Sequence, residues 1–286
     1  VANTSLTISN TKPLLADSFI EVRYFDFFGF PGIASGGGGG GAAGGGGLNL
    51  SNVTYDSVSF SLTSEDTVPR SLAFSADGTK MYMIGTATDS VYQYSLSTAF
   101  DLSTASYDSV SFSVTSQESI PLGLTFNTDG TRMYIAGFMN DTVYQYNLTT
   151  GFDLSTAYYS NISFSVASQE TAPLGLTFNA DGTKMYLVGN TNDTVYQYSL
   201  STGFNLSTAS YDSVSFSAAS QDTTPTAIVF NADGTKMYII GQQFDTVYQY
   251  TLSTGFDLST ASYDSASFSV ASQSTGPHGL AFSNDF

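Results

Sequence analysis

Residues 173–189 read PLGLTFNADGTKMYLVG, and residues 193–200 continue with DTVYQYSL. The same pattern returns every 52 residues, marked by a proline before the first apolar run and an Asp-Gly pair after it. The prolines are Pro69, Pro121, Pro173, Pro225 and Pro277. A fixed period of this length, without the apolar spacing of a helix, predicts a tandem array of small β-sheet units.

One repeat, residues 121–166, contains four short runs rich in Val, Ile, Tyr and Phe. We predict strands over residues 122–126, 133–136, 142–148 and 161–166. Asp129-Gly130 predicts a tight hairpin, because Gly accepts a positive φ. The last run alternates apolar residues with Ser, which indicates an outer strand with one face in water. The chain is therefore predicted to be all-β, a β-propeller of 52-residue, four-stranded blades.

The array starts and stops out of phase with the blades. It opens on a fourth strand at residues 55–62 and ends after a first strand at residues 279–282, with four full blades between these two part-blades. A fifth sheet shared by the part-blades would lack its two middle strands, and such an open edge favours aggregation. We therefore expect these residues to be the ordered part of a longer chain with further blades.

Residues 1–47 do not share the repeat. Two runs, 4–8 and 19–25, predict strands, and residues 36–47 are Gly apart from two Ala. Such a run is typical of a flexible linker, with a packed poly-Gly stalk as the alternative. Two strands do not fold alone, so we expect them to share a core with another copy. The predicted domains are a β-rich anchor and oligomerisation segment (1–35), a Gly-rich linker (36–47) and the propeller repeats (48–286).

Composition argues against several function classes. Asp and Glu total 24 against 7 Lys and Arg, a net charge of −17 that disfavours nucleic-acid binding. The chain has no Cys and one His, His278, which argues against thiol chemistry, His-assisted catalysis and His metal clusters. No apolar run is long enough to span a membrane. We predict no enzyme activity, no catalytic residues, no metal and no cofactor.

Repeated polar residues are interpreted as structural. Glu118, Glu170 and Asp222 recur at one place in successive repeats, unlike the unequal carboxylate pair of a glycosidase. The Asn-Ala-Asp-Gly-Thr turns lack the terminal Glu of a calcium loop, although calcium remains an alternative. A basic residue follows each turn, as Lys184 does, and predicts a repeated ion pair with a nearby Asp. The Tyr-Gln-Tyr strands predict packing between blades.

Residues 173–189, with Asp193-Thr194-Val195-Tyr196, resemble the YVTN-type, lactonase-like propeller repeat. The resemblance covers roughly residues 55–286 and departs at residues 201–208, where the connection between the third and fourth strands is longer than usual. It implies a β-propeller fold. The family includes surface-layer proteins, enzymes and binding modules, so the resemblance leaves the activity open. Near-identical blades behind a Gly-rich stretch also resemble structural proteins of marine bacteriophages.

The repeats differ most in the connection between their second and third strands. In a four-stranded blade this connection lies at the same end of the ring as the connection between blades, where binding loops are expected. Neutral drift of loops is the alternative. The candidate ligand-binding residues are Phe138, Met139, Asn140, Asn190, Asn192, Gln242, Gln243 and Phe244. Amides pair with sugar hydroxyls, and aromatic or thioether groups pack on apolar sugar faces, so the predicted partner is a host-surface glycan.

These observations predict a non-enzymatic virion structural or appendage protein, of phage fibre, tail or capsid-decoration type, that displays its propeller for host-surface or protein binding. The amino-terminal segment would contact other virion proteins and form a homo-oligomer, and the protein would be located in the virion. The alternative is a secreted microbial adhesion protein of the cell surface or matrix. A lactonase-like hydrolase is a third reading, supported only by the resemblance in fold.

Overall fold

The computed structural model describes residues 5–10, 21–26 and 50–283, and the side chains from Leu50 onward apart from Asn52. In these residues the long elements are all β-strands, and they form five four-stranded antiparallel sheets. The helices are short 3₁₀ turns at Leu50–Asn52, Leu102–Thr104, Leu154–Thr156, Leu206–Thr208 and Leu258–Thr260.

Four sheets are formed by consecutive strands of the repeats and one by the two ends of the array. The first three strands are β1 (Ser5–Asn10), β2 (Glu21–Asp26) and β3 (Val58–Ser61). Blade 1 contains β4 (Pro69–Phe74), β5 (Lys80–Gly85), β6 (Ser90–Leu96) and β7 (Ala105–Ser113). Blade 2 contains β8 (Pro121–Phe126), β9 (Arg132–Gly137), β10 (Thr142–Leu148) and β11 (Ala157–Ser165). Blade 3 contains β12 (Pro173–Phe178), β13 (Lys184–Gly189), β14 (Thr194–Leu200) and β15 (Ala209–Ser217). Blade 4 contains β16 (Pro225–Phe230), β17 (Lys236–Gly241), β18 (Thr246–Leu252) and β19 (Ala261–Ser269), and the last strand is β20 (Pro277–Phe282).

The five inner strands close a ring around one axis. Strand β4 contacts β8, and contacts continue through β12, β16 and β20 back to β4. In each full blade the strands follow one another outward from this axis in chain order. The predicted all-β propeller with four full blades is therefore confirmed.

The fifth sheet, blade 5, has the order β20-β1-β2-β3. Thr7 lies opposite Ala281 in the pairing of β1 with β20, and Val22 lies opposite Phe60 in the pairing of β2 with β3. The expectation that this sheet lacks its middle strands is wrong, because strands outside the repeat complete it. The predicted domain boundaries stay predictions, and the Gly-rich run lies outside the described residues.

Packing between blades forms the core. Tyr94, Tyr146, Tyr198 and Tyr250, the second Tyr of each Tyr-Gln-Tyr strand, are fully buried, as predicted. On the second strands, the hydroxyl of Tyr134 donates to the carbonyl oxygen of Phe204 in the next blade at 2.5 Å. Burying an aromatic side chain of this size contributes on the order of 2 kcal/mol, so the repeated blade interface stabilises the ring.

A buried hydrogen bond also joins successive blades. The side-chain oxygen of Gln93 in β6 accepts from the backbone N–H of Leu154 at 2.8 Å. The same bond joins Gln249 in β18 to the N–H of Leu50 at 3.0 Å, which attaches blade 5 to blade 4. Blade 5 is thus held by the same contact as the full blades.

The basic residues after the turns pair with the outer strands. Lys184 Nζ lies 2.7 Å from Asp212 Oδ2, and matching ion pairs join Lys80 to Asp108 and Lys236 to Asp264. Although partial burial opposes the shift, hydrogen bonds from Lys184 and its neighbours hold the pKa of Asp212 below its ordinary value. The predicted repeated ion pair is therefore confirmed in blades 1, 3 and 4, with an Asp of the outer strand as the partner. The turn residue Asp181 instead accepts hydrogen bonds within its own turn.

Candidate functional site

One end of the ring, which we call the variable face, carries the connections between second and third strands and those between blades. The second-to-third connections are residues 86–89, 138–141, 190–193 and 242–245. A buried carboxylate holds each of them. In blade 2, Glu118 is 1% exposed, and its Oε1 accepts from the backbone N–H groups of Ile120 at 2.9 Å and Met139 at 3.1 Å. Asp66 and Asp222 accept equivalent bonds, which supports the structural role predicted for this position.

The variable face exposes large apolar side chains. Phe138 is 42% exposed, and Met139 and Phe244 are each 56% exposed. Among the described residues the remaining exposed large hydrophobic side chain is Tyr158, at 48%, which lies on the outer strand β11. The apolar candidates predicted from the sequence therefore share one face and contact water. Their role in binding stays a prediction.

Most of the candidate amides already have partners inside the protein. Asn140 donates to the carbonyl oxygen of Gln117 at 3.2 Å, and Asn192 donates to the hydroxyl of Tyr196 at 3.1 Å. Gln243 Oε1 accepts from the backbone N–H of Thr223 at 3.2 Å, and the Gln242 amide contacts His278. Asn190 is exposed, and no side-chain hydrogen bond joins it to the described residues. Asn190 is therefore the amide best placed to bond a ligand.

The axis mouth on this face is formed by one residue from each inner strand. These equivalent residues are Arg70, Leu122, Leu174, Thr226 and His278. In blade 1 the pairing shifts register between Pro69 and Ser71, so Arg70 is left out of the strand ladder. The adjacent Pro69 lies opposite Gly85, directly before the second-to-third connection, which fixes the mouth beside the variable connections.

Half of the axis mouth is polar and hydrogen-bonded. Arg70 Nη1 donates to His278 Nε2 at 2.9 Å, and the amide nitrogen of Gln242 lies 2.7 Å from the same ring nitrogen. Arg70 Nε also donates to Thr86 Oγ1 at 3.3 Å. Burial and the Arg70 charge lower the pKa of His278 to about 3, so the imidazole is neutral near pH 7. Leu122 and Leu174 make the other half of the mouth apolar.

Sequence reasoning missed this cluster. It considered His278 only as the single His of the chain, and it assigned Arg70 no role. The available signal was that both residues replace Leu at the same repeat position, where blades 2 and 3 keep Leu122 and Leu174. Because the ring brings these two positions together, a charged side chain and an imidazole in place of Leu indicate a polar site.

A cavity of about 510 Å³ opens at the opposite end of the axis. Phe74, Phe126, Phe178, Phe230 and Phe282 are among its lining residues. Ala73, Thr125, Thr177, Val229 and Ala281 also line it, one from each inner strand. The sequence analysis predicted strands and turns here but no ligand-binding residue. The cavity has the volume of a small-molecule site, and Asn127, Asn179 and Asn231 are among the polar residues that line it.

The described side chains contain no group of three or more His, Cys, Asp and Glu arranged to hold a metal ion.

Burial raises the pKa of Asp89, Asp193 and Asp245, which end three of the variable connections. No helix in the described part of the chain is long and apolar enough to cross a membrane.

Comparisons with known proteins bear on the fold. No protein-family model and no curated protein matches the sequence. A chain of a nidogen–laminin complex is similar in structure, with a TM-score of 0.54, 10% identity and 98% of both chains covered. The periplasmic gluconolactonase PpgL of Pseudomonas aeruginosa has a TM-score of 0.47 and 16% identity, over 76% of this chain and 57% of that one. A Bacteroides fragilis protein described as a candidate 6-phosphogluconolactonase has a TM-score of 0.48 and 15% identity, over 92% and 70%.

These comparisons correct two expectations. The similar structures include proteins named as lactonases, which are enzymes, and none of the three is named as a phage protein. The predicted non-enzymatic virion protein is therefore wrong, together with its phage, fibre and host-attachment assignments. At these identities the likeness shows the propeller fold alone, and this chain spans little more than half of the gluconolactonase. No activity is carried over from these proteins.

Proposed function

We propose that this chain binds a carbohydrate ligand on the variable face of its propeller. The exposure of Phe138, Met139 and Phe244 carries the proposal, because three of the four large hydrophobic side chains exposed in the described residues lie in the connections that differ between repeats. Residues of this kind on a rigid scaffold are typical anchors of binding sites.

A sugar suits this surface better than a purely apolar ligand. The aromatic rings of Phe138 and Phe244 offer apolar faces to the C–H groups of a sugar ring. Asn190 adds an exposed amide that both donates and accepts. The buried carboxylates Glu118 and Asp222 hold the backbone under Met139 and Phe244, so the anchors extend from fixed positions.

The test is binding to immobilised neutral and acidic oligosaccharides by the full chain and by the double variant Phe138→Ser, Phe244→Ser. Loss of two exposed anchors should weaken binding by about tenfold or more. Tyr158→Ser is the matched control, because Tyr158 is similarly exposed but lies on outer strand β11. This control should bind as the unchanged chain does.

Retention of full binding by the double variant would assign these connections to ordinary loop variation and remove the proposal. Failure of the unchanged chain to bind any of the oligosaccharides would also remove it. The same three samples are assayed for proton release from δ-gluconolactone. Turnover that the double variant loses and the Tyr158 control keeps would make the variable face a catalytic site.

A further inference from the structure

Arg70 is the one basic side chain on the variable face among those the structure describes. The other four Lys and Arg residues whose side chains the structure describes follow turns at the opposite end of the blades. They are Lys80, Arg132, Lys184 and Lys236. Three of these form ion pairs, and Arg132 donates to the carbonyl oxygen of Phe204 at 2.8 Å. Arg70 is therefore the single positive charge at the axis mouth, on a face that also carries the buried carboxylates Asp66, Glu118, Glu170 and Asp222.

The Arg70 guanidinium is partly buried without an ion-pair partner among the described residues. No described carboxylate lies within 4.0 Å of it, and the oxygens of the nearby Asp66 accept from the N–H groups of Val68 and Thr88. Two of its nitrogens, Nε and Nη1, have protein acceptors, while Nη2 has none in this part of the chain. Burial lowers the pKa of Arg70, and the charge of the nearby Asp66 offsets this only in part, so a carboxylate ligand in direct contact would stabilise the guanidinium further.

We propose that the axis mouth binds the carboxylate of an acidic sugar through Arg70. The inference rests on the proposed function only for the class of ligand, a carbohydrate. His278 accepts from Nη1 and so fixes the orientation of the guanidinium, leaving Nη2 for the ligand. Because the imidazole is neutral, it adds no charge of its own to the mouth.

The rest of the mouth selects the ligand. The half-buried Leu174, beside the buried Leu122, offers an apolar surface for the sugar body. The net charge of −17 repels polyanions. For a ligand with a single carboxylate, salt screens this long-range repulsion, and the direct ion pair with Arg70 in a partly buried site outweighs it. The ligand that fits is therefore an oligosaccharide with one uronic acid.

The experiment compares a disaccharide that ends in glucuronic acid with its methyl ester, which has nearly the same shape and no charge. The full chain should bind the acid about tenfold or more tightly than the ester, because a charge-assisted pair is lost in the ester. Arg70→Leu should bind both equally. This variant carries the residue that blades 2 and 3 have at the equivalent positions, Leu122 and Leu174, so the fold accommodates it.

Two controls separate the possible failures. Arg132→Gln removes a guanidinium from the opposite end of the ring and should keep the preference for the acid. His278→Leu should reduce the preference by loosening the orientation of Arg70. An unchanged acid-to-ester ratio in Arg70→Leu overturns this inference, even where Phe138→Ser, Phe244→Ser weakens both ligands and the proposed function stands.

The converse result is equally informative. An Arg70-dependent preference that the Phe double variant leaves intact would support the axis mouth and reject the proposed role of the exposed anchors. Equal binding of acid and ester by the unchanged chain, or binding of neither, overturns the inference. Stronger Arg70-dependent binding of a peptide with a free carboxyl end than of its amide would assign the mouth to a protein partner and reject the sugar.

Discussion

His278 shows how the contacts of one half-buried side chain can depend on ring closure. Its imidazole accepts from Arg70 of blade 1 and contacts Gln242 of blade 4, while the residue itself lies in blade 5. Burial and the Arg70 charge together lower the pKa of the ring to about 3. The protonated form is therefore excluded from the folded state over most of the acid range.

This burial predicts a specific loss of stability in acid. Below the ordinary His pKa of about 6.5, the unfolded chain binds a proton that the folded chain does not, so the free energy of unfolding falls by about 1.4 kcal/mol per pH unit. Between pH 7 and pH 4.5 the unchanged chain should lose about 2 kcal/mol more than His278→Leu. Denaturant titrations at several pH values measure both. The Asp carboxylates with lowered pKa act in the same direction, but they are present in both chains and cancel in the difference.

Parallel stability curves for the two chains across this pH range would show that His278 is accessible to water. The hydrogen bond from Arg70 to His278 would then be absent, and another contact would have to orient Arg70.

At the scale of single elements, strands β1 and β2 complete the blade that closes the ring. They provide the middle of blade 5, between β20 from the end of the array and β3 from its start. Without a middle strand, the backbone N–H and C=O groups of the strands on either side would lose their hydrogen-bond partners, which is unfavourable for buried groups. Closure thus depends on residues that share no sequence with the repeats.

The register of β1 can be tested with an engineered disulfide in a chain that has no Cys of its own. Thr7 and Ala281 lie directly opposite each other, so Thr7→Cys, Ala281→Cys should form a bond within one chain under oxidation. In the control Thr7→Cys, Leu280→Cys, the second thiol points to the other face of the sheet and should stay free. Non-reducing electrophoresis and mass measurement detect the bond. A bond between two chains would place β1 in a neighbouring copy instead.

The elements of the repeats were predictable, and their partners outside the repeats were not. The strand predicted at residues 122–126 is β8, and Gly182, in the predicted Asp-Gly turn of blade 3, has a φ of +70°. The alternation of apolar and polar residues and the presence of turn residues are local signals, so they can be recognised from the sequence alone. The two amino-terminal strands were also recognised, but a strand's own pattern does not name the edge that it pairs with. The sequence reading therefore placed them in a separate anchor.

The candidate site was likewise predictable in one part and not in the other. Exposure of Phe138 and Phe244 followed from comparing repeats, which shows where the chain is free to vary. The contact between Arg70 and His278 joins residues 208 positions apart and exists only because the ring closes. Local patterns carry no information about that distance.

At the scale of the whole molecule, the described residues form a closed ring in which each blade contacts two neighbours. Closure removes the free ends that a linear array of repeats would have, so the blades are expected to unfold together. Blade 5 is made from both ends of the array, with β1 and β2 between them. Its integrity therefore depends on backbone pairing rather than on an uninterrupted chain.

Proteolysis tests this dependence. Brief digestion should cut the predicted linker at residues 36–47, because a Gly-rich sequence is typical of a flexible linker. The fragment that contains β1 and β2 should remain bound to the propeller through β20 and β3, and the two pieces should elute together in size-exclusion chromatography. They should separate in urea. Release of the amino-terminal fragment in buffer alone would contradict the pairing in blade 5.

The offset between repeat and blade has an evolutionary consequence. Each 52-residue unit that begins at a fourth strand supplies the outer strand of one blade and three strands of the next. Unequal crossing-over between near-identical units would add or delete one such unit and still leave a fourth strand at the start and a first strand at the end. The two amino-terminal strands would complete the closing sheet in every such descendant. The number of repeats in this gene can therefore change while the closing sheet, blade 5, is inherited unchanged. The expected products are related propellers with different numbers of blades.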